Sequence, residues 1–204
     1  QRGPVRLYIE IMFILGSDFD SDPQFPWAAA ILGQASTDDT QMERAIELFD
    51  ATQRYLEATT PPDGSGILEA LQRALASGLE PTFEPRAKLD SQLLKQLEAL
   101  GPEKAARVGE RALRELIRSG CTRARTRGAR TQSDEALIVF LMFGLGHGCL
   151  EDPLFPWIAS SLSSRRRDPF ARLRRTALHL TRSRIKNMSR RDAFPVTGSN
   201  GVSE

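Results

Sequence analysis

LYIEIMFILGSDFDSDPQFPWAAAIL, Leu7 to Leu32, aligns without gaps with LIVFLMFGLGHGCLEDPLFPWIASSL, Leu137 to Leu162, at an offset of 130 residues. The pairs Met12 and Met142, Phe13 and Phe143, and Gly16 and Gly146 are identical. So are Asp22 and Asp152, Pro23 and Pro153, Phe25 and Phe155, Pro26 and Pro156, and Trp27 and Trp157. The offset is far longer than a solenoid period, so the pattern reads as a tandem duplication of a domain-sized unit. Leu7, Ile11, Ile14 and Leu15 fall at helical spacing, as do Leu137, Leu141 and Leu145, and the second copy is apolar nearly all round. Both helices are expected at the centre of the fold. Gly16 and Gly146 stand where a helix would end in a residue at positive φ. Asp22 and Asp152 precede prolines, which biases each out of the α region and starts a turn. Pro26 and Pro156 suit the first turn of the next helix, and the neighbouring Phe and Trp can fold back as an apolar plug against the preceding one. The DPxFPW corner is therefore read as a structural motif.

Outward from this unit the remaining pattern is helical, with segments expected at Thr40 to Ala58, Ser65 to Leu79, Ala87 to Leu100, Pro102 to Ser119, Ser133 to Gly146 (Ser133 as N-cap) and Asp168 to Met188. Thr122 to Thr131, TRARTRGART, reads as a basic loop or frayed helix end, and Gly78 to Pro85 as the best linker. No run alternates as a strand does. The fold class is all-α, two tandem copies of a helical unit packed as a helical bundle. The first unit spans 1–80 and lacks a counterpart of the opening helices of the second, which spans 86–188; residues 189–204 are polar and read as a disordered tail.

With 204 residues, 40% of them hydrophobic, the chain can bury one sizeable core or two small ones. It does not need a disulfide, so Cys121 and Cys149 read as buried thiols in a reducing cytoplasm. The longest apolar stretch, Ala136 to Gly146, is too short for a membrane span of about 20 residues, and no signal peptide is visible. The net charge of +2 hides an asymmetry. Gln1 to Thr60 carries ten acidic and four basic residues, whereas Ser163 to Arg191 carries eleven basic residues and one acid, Asp168. Such a division points to an electrostatic partner. Arg165, Arg166, Arg167, Arg172, Arg174, Arg175 and Arg182 are the candidate partner-binding residues, toward a protein with an acidic surface such as a secreted effector. Nucleic acid is the weaker alternative, because clustered arginines can bind phosphates, here with Arg123 to Arg130 as a second tract, but no interleaved aromatics or helix-turn-helix signature accompany them.

Candidate chemistry is sparse. Asp18, Asp20 and Asp22 alternate as calcium ligands do, but Pro23 and Ala29 stand where an EF-hand requires glycine and a carboxylate, so turn and capping roles are expected and cation binding stays open. His147 and Cys149 lie two residues apart without an assignable third group to orient them, and Ser17 and Phe19 occupy the matching positions of the first copy. With no HExxH, GxSxG, Walker or paired CxxC motif and no dinucleotide fingerprint, neither a catalytic residue nor a cofactor or metal is assigned.

The stretch Leu97 to Trp157, in which LGPEKAARVGERALRELIRSGCTRARTRGARTQSDEALIVFLMF leads into G, then D, P and PW, resembles small, poorly characterised bacterial helical proteins of type VI secretion gene neighbourhoods. The resemblance, carried by an LMFxxGxxxxxDPxxPW signature, implies a non-enzymatic adaptor, chaperone or immunity-like accessory protein. The second copy departs from that pattern at Gly148 and Leu150, where aspartates are common, which argues against an acidic-site role there.

Overall fold

A computed structural model describes residues 2–33, 40–60, 66–76, 88–163 and 168–192. These form ten helices and, among the described residues, no strand: α1 Arg2–Leu15, α2 Pro26–Leu32, α3 Gln41–Thr59, α4 Ile67–Ala76, α5 Leu89–Leu100, α6 Pro102–Val108, α7 Glu110–Thr126, α8 Gln132–Leu145, α9 Pro156–Leu162 and α10 Pro169–Asp192. The all-α class holds. The linker at 78–85, Arg165, Arg166, Arg167 and residues 193–204 lie outside the described residues. Among those described, no helix is long and apolar enough to cross a membrane.

Local chemistry sets the helix ends, in places differently from the sequence reading. The segment expected from Pro102 to Ser119 is broken at Gly109, whose φ of 83° ends α6 before α7 begins. Helix α7 then runs to Thr126, so half of the arginine tract is helical and not loop. Helix α8 is capped two residues earlier than expected, by Thr131 rather than Ser133. The Thr131 hydroxyl accepts the Asp134 N–H, and the Asp134 carboxylate accepts the Thr131 N–H, both at 3.1 Å. At the start of α10 the Asp168 carboxylate accepts the Ala171 N–H at 2.8 Å. That helix continues to Asp192, past Ser189 where the tail was expected to begin.

Two apolar clusters form. Ile11, Leu15, Phe19, Phe25, Ala28, Ile31, Leu48 and Tyr55, from α1, the turn after it, α2 and α3, make the smaller one. The larger one surrounds α8, buried without a break from Ala136 to Phe143 between α7, α5 and α4. A helix that is apolar all round has no face to give to water, so it takes the centre. Helix α4 precedes the linker, yet its Leu71 and Leu75 belong to this larger cluster, against α8 and α10. The two units expected from sequence therefore share elements. Likeness at an offset of 130 also stops at the ends of α2 and α9: α3 packs on α1, α2 and α6, whereas α10 packs on α9 and α4.

Leu71→Ala is expected to lower global stability by about 2–5 kcal/mol, as for a leucine deleted from a single core. Urea unfolding with helix content as readout checks this, and a loss under about 1 kcal/mol would place α4 outside the core.

Candidate functional site

The two DPxFPW corners meet. Helices α1 and α8 end at matching positions, as α2 and α9 begin at matching positions, and the phenylalanines before the second pair adopt nearly the same backbone, Phe25 at φ −125° and ψ 57°, Phe155 at φ −124° and ψ 53°. Gly16 and Gly146 end the first helices at φ 104° and 99°. Each aspartate divides its oxygens between the two corners. Its Oδ1 closes its own turn by accepting the N–H two residues on, from Gln24 to Asp22 and from Leu154 to Asp152, both at 2.8 Å. Its Oδ2 crosses to the other corner: Asp22 accepts the His147 N–H at 2.8 Å, and Asp152 accepts the Ser17 N–H at 2.9 Å. Ser17 and His147 are themselves matching positions, so the exchange is reciprocal.

Close backbone approach makes this exchange possible. A Cβ on Gly146 would stand 2.9 Å from the Leu15 carbonyl oxygen, and one on Gly16 would stand 3.2 Å from that of Leu145. Gly148 lies directly against the exposed Asp18 side chain, which a side chain at 148 would have to displace. Positions 18 and 148 match, so aspartate at both would bring two carboxylates into the space of one; the departure at Gly148 has a steric and electrostatic reason. Asp18 and Asp20 are exposed while Asp22 is buried with both oxygens engaged by N–H donors, so the three do not converge on one point. Phe25 of the first corner shares its cluster with Ile11 and Leu15 of the preceding helix, α1, and Trp27 packs against that cluster. Phe25 and Trp27 meet Tyr55 of the following helix, α3, with ring centroids at 5.1 and 6.1 Å.

Lys104 of α6 enters the joint from the side. Its stem is partly exposed, but its ammonium is enclosed, donating to the Phe143 carbonyl at the end of α8 and lying 4.8 Å from the Phe143 ring and 5.9 Å from that of Phe25. Burial lowers its pKa from 10.5 to about 8, partly offset by the charge of Asp22. Cys149 is 1% exposed and its thiol is pushed far up by burial, and the His147 Nδ1 faces Asp22 at 3.7 Å. Cys121 and Cys149 are buried free thiols, and burial raises Cys121 to about 12. The two turns leave only a shallow crevice between them, lined by Gly16, Ser17, Asp18, Gly146, His147 and Gly148.

Two surfaces remain. On α10, Arg172, Arg175 and Arg182 are exposed together with His179, at spacings that put them on one face; Arg174 is half-buried. The arginine tract of α7 is engaged within the fold. Arg123 and Arg127 pair with Glu151, and both Arg125 bonds to Glu135 are 2.8 Å. The second surface was not anticipated. Val5, Ile9 and Phe13, spaced by four along α1, are 59%, 46% and 68% exposed, and Ile14 is 49% exposed. Ile14 was expected to face the core. Met42 of α3, also exposed, lies against the start of α1, where a Cβ on Gly3 would stand 2.6 Å from its methyl. On α8 the positions matching Ile9 and Phe13 are Val139 and Phe143, each fully buried.

No family model matches the chain, and no curated protein or solved structure is significantly similar to it.

Asp22→Ala leaves the His147 N–H and the buried Gln24 backbone N–H without their acceptor, and is expected to cost about 2–5 kcal/mol in denaturant unfolding. A cost below about 1 kcal/mol would mean that the joint contributes little. For Lys104 the folded pKa lies below the unfolded one, so between about pH 8 and 10.5 the unfolded chain holds the extra proton and stability rises with pH. The rise should be on the order of 3 kcal/mol, absent in Lys104→Met, when the two proteins' unfolding free energies are compared across that window. Parallel pH profiles would show that the ammonium is solvated.

Proposed function

We propose that the protein is a non-enzymatic interaction module that works by seating a protein partner on the open face of α1. The observation that carries this reading is the Val5, Ile9 and Phe13 line. Three large apolar side chains at consecutive i, i+4 positions on one exposed helix face form a contact stripe, and the same pair of positions is buried on α8. The exposed arginines of α10 supply a second contact, for an acidic partner surface, by electrostatic steering. An adaptor, chaperone or immunity-like component of a bacterial secretion or toxin system, acting in the cytoplasm, fits both surfaces and the resemblance of residues 97–157 to helical proteins of type VI secretion neighbourhoods.

The alternative, a nucleic-acid-binding accessory protein, is favoured by one feature, the alignment of Arg172, Arg175, His179 and Arg182 on one face of α10. In the second tract Arg123, Arg125 and Arg127 are already paired with Glu135 and Glu151, which leaves them less charge to offer phosphates than this reading needs.

Phe13→Glu should leave the fold intact, because the side chain is exposed, and should weaken partner binding at least about tenfold, the equivalent of one lost aromatic contact. Tagged wild-type and Phe13→Glu proteins, purified from the native host at two salt concentrations with nuclease, provide the comparison. A stoichiometric protein recovered only with the wild type supports the module. Equal recovery by both, or material that disappears with nuclease and salt, sinks it in favour of the arginine face.

A further inference from the structure

We infer that copies of this chain associate through charge, the acidic face of α3 on one copy docking in parallel register on the basic face of α10 on another. The inference rests on the electrostatic part of the reading above, names the acidic surface that α10 meets, and makes no use of the α1 stripe. On α10, Arg172, Arg175, His179 and Arg182 are exposed at intervals of three, four and three residues, which sets them along one helix face, away from the buried Phe170, Leu173 and Ala177. On α3, Glu47, Asp50, Arg54 and Glu57 are exposed at the same intervals, away from the buried Leu48, Thr52 and Tyr55. Each stripe covers roughly 15 Å of helix. Among the described residues, none of the ion pairs involves Glu47, Asp50 or Glu57.

Only one register gives every arginine of the basic stripe a carboxylate. Laid parallel, Glu47 faces Arg172, Asp50 faces Arg175 and Glu57 faces Arg182. Arg54, the one basic residue of the acidic stripe, then falls opposite His179, the one member of the basic stripe without a permanent charge. Laid antiparallel over the same positions, Arg54 meets Arg175, and like charges oppose the contact. Within one chain the stripes do not satisfy each other, since both are exposed, α3 packing on α1, α2 and α6, and α10 on α9 and α4. Every copy therefore offers both halves of the contact. The net charge of +2 places little repulsion between copies. Nucleic acid would account for the arginines of α10 but would leave the matching stripe of α3 without a role. The two faces differ, so the contact is heterologous. Exposed ion pairs are individually weak, which sets the dissociation constant on the order of 0.1 mM at low ionic strength and makes the contact sensitive to salt.

Sedimentation velocity of the full chain over a concentration series, at about 0.02 M and about 1 M ionic strength, tests this. Concentration-dependent association at low salt and its loss at high salt are expected. Two charge-reversed chains, one with Arg175→Glu and Arg182→Glu and the other with Asp50→Arg and Glu57→Arg, should each stay monomeric with unchanged helix content by circular dichroism. Mixed, they should associate again, because each supplies the stripe that the other has reversed. His179→Glu should tighten association severalfold by giving Arg54 a partner, whereas an antiparallel contact would set the new carboxylate against Asp50 and weaken it. A monomer at low salt, association untouched by the reversals, no recovery on mixing, or weakening by His179→Glu overturns the inference. Association lost in Phe13→Ser but kept in both reversed chains overturns it in favour of the α1 stripe, and a monomer that retains nucleic acid through Arg175 and Arg182 overturns it in favour of phosphate binding. A separate protein captured through Phe13 by a chain that stays monomeric leaves the interaction reading standing and removes this one.

Discussion

The fold depends on two carboxylates that each serve two turns. Asp22 and Asp152 close their own corners with one oxygen and cap the opposite corner with the other, at 2.8 and 2.9 Å. A charge-assisted acceptor in a buried site is strong when its donors are supplied and costly when they are not. Breaking either corner therefore leaves the other with an unpaired N–H as well. The exchange needs Gly16 and Gly146, where a side chain would meet the carbonyl of the opposite corner, to bring the two backbones together. Gln24 adds an asymmetric strut, its amide donating to Asp22 and to the Met142 carbonyl, both at 3.1 Å.

From this joint the two helices that precede the corners have different fates. Helix α8 is enclosed by α7, α5 and α4, and every residue from Ala136 to Phe143 is buried. Among the described residues helix α1 packs chiefly on α3; its Ile11 and Leu15 are buried, and its Ile9 and Phe13 are left to solvent. The same apolar spacing thus serves as core in one place and as a contact stripe in the other. Lys104 stands where the two environments touch, its ammonium between Phe25 of one cluster and Phe143 of the other.

Charge is divided along the same line between structure and surface. Arginines 123, 125 and 127 belong to the architecture, because α7 passes beside Glu135 and Glu151. Arg172, Arg175 and Arg182 of α10 face water, on the side away from its buried Phe170, Leu173 and Ala177. Composition alone treats both groups as one basic reservoir.

The sequence by itself determined what depends on a few neighbouring residues. Glycine at positive φ ends α1 and α8, proline at the first position opens α2 and α9, and aspartate before proline forms the turn between them. Helix type and approximate extent followed from apolar spacing, with errors where one residue decided the outcome, as Gly109 did in splitting α6 from α7 and Thr131 in capping α8. Only the tertiary structure decided that the corners face each other, that α4 crosses to the larger core, and that the stripe on α1 stays open. These outcomes depend on contacts between residues as far apart as Asp22 and His147, and local periodicity carries no record of which partner a helix face will meet.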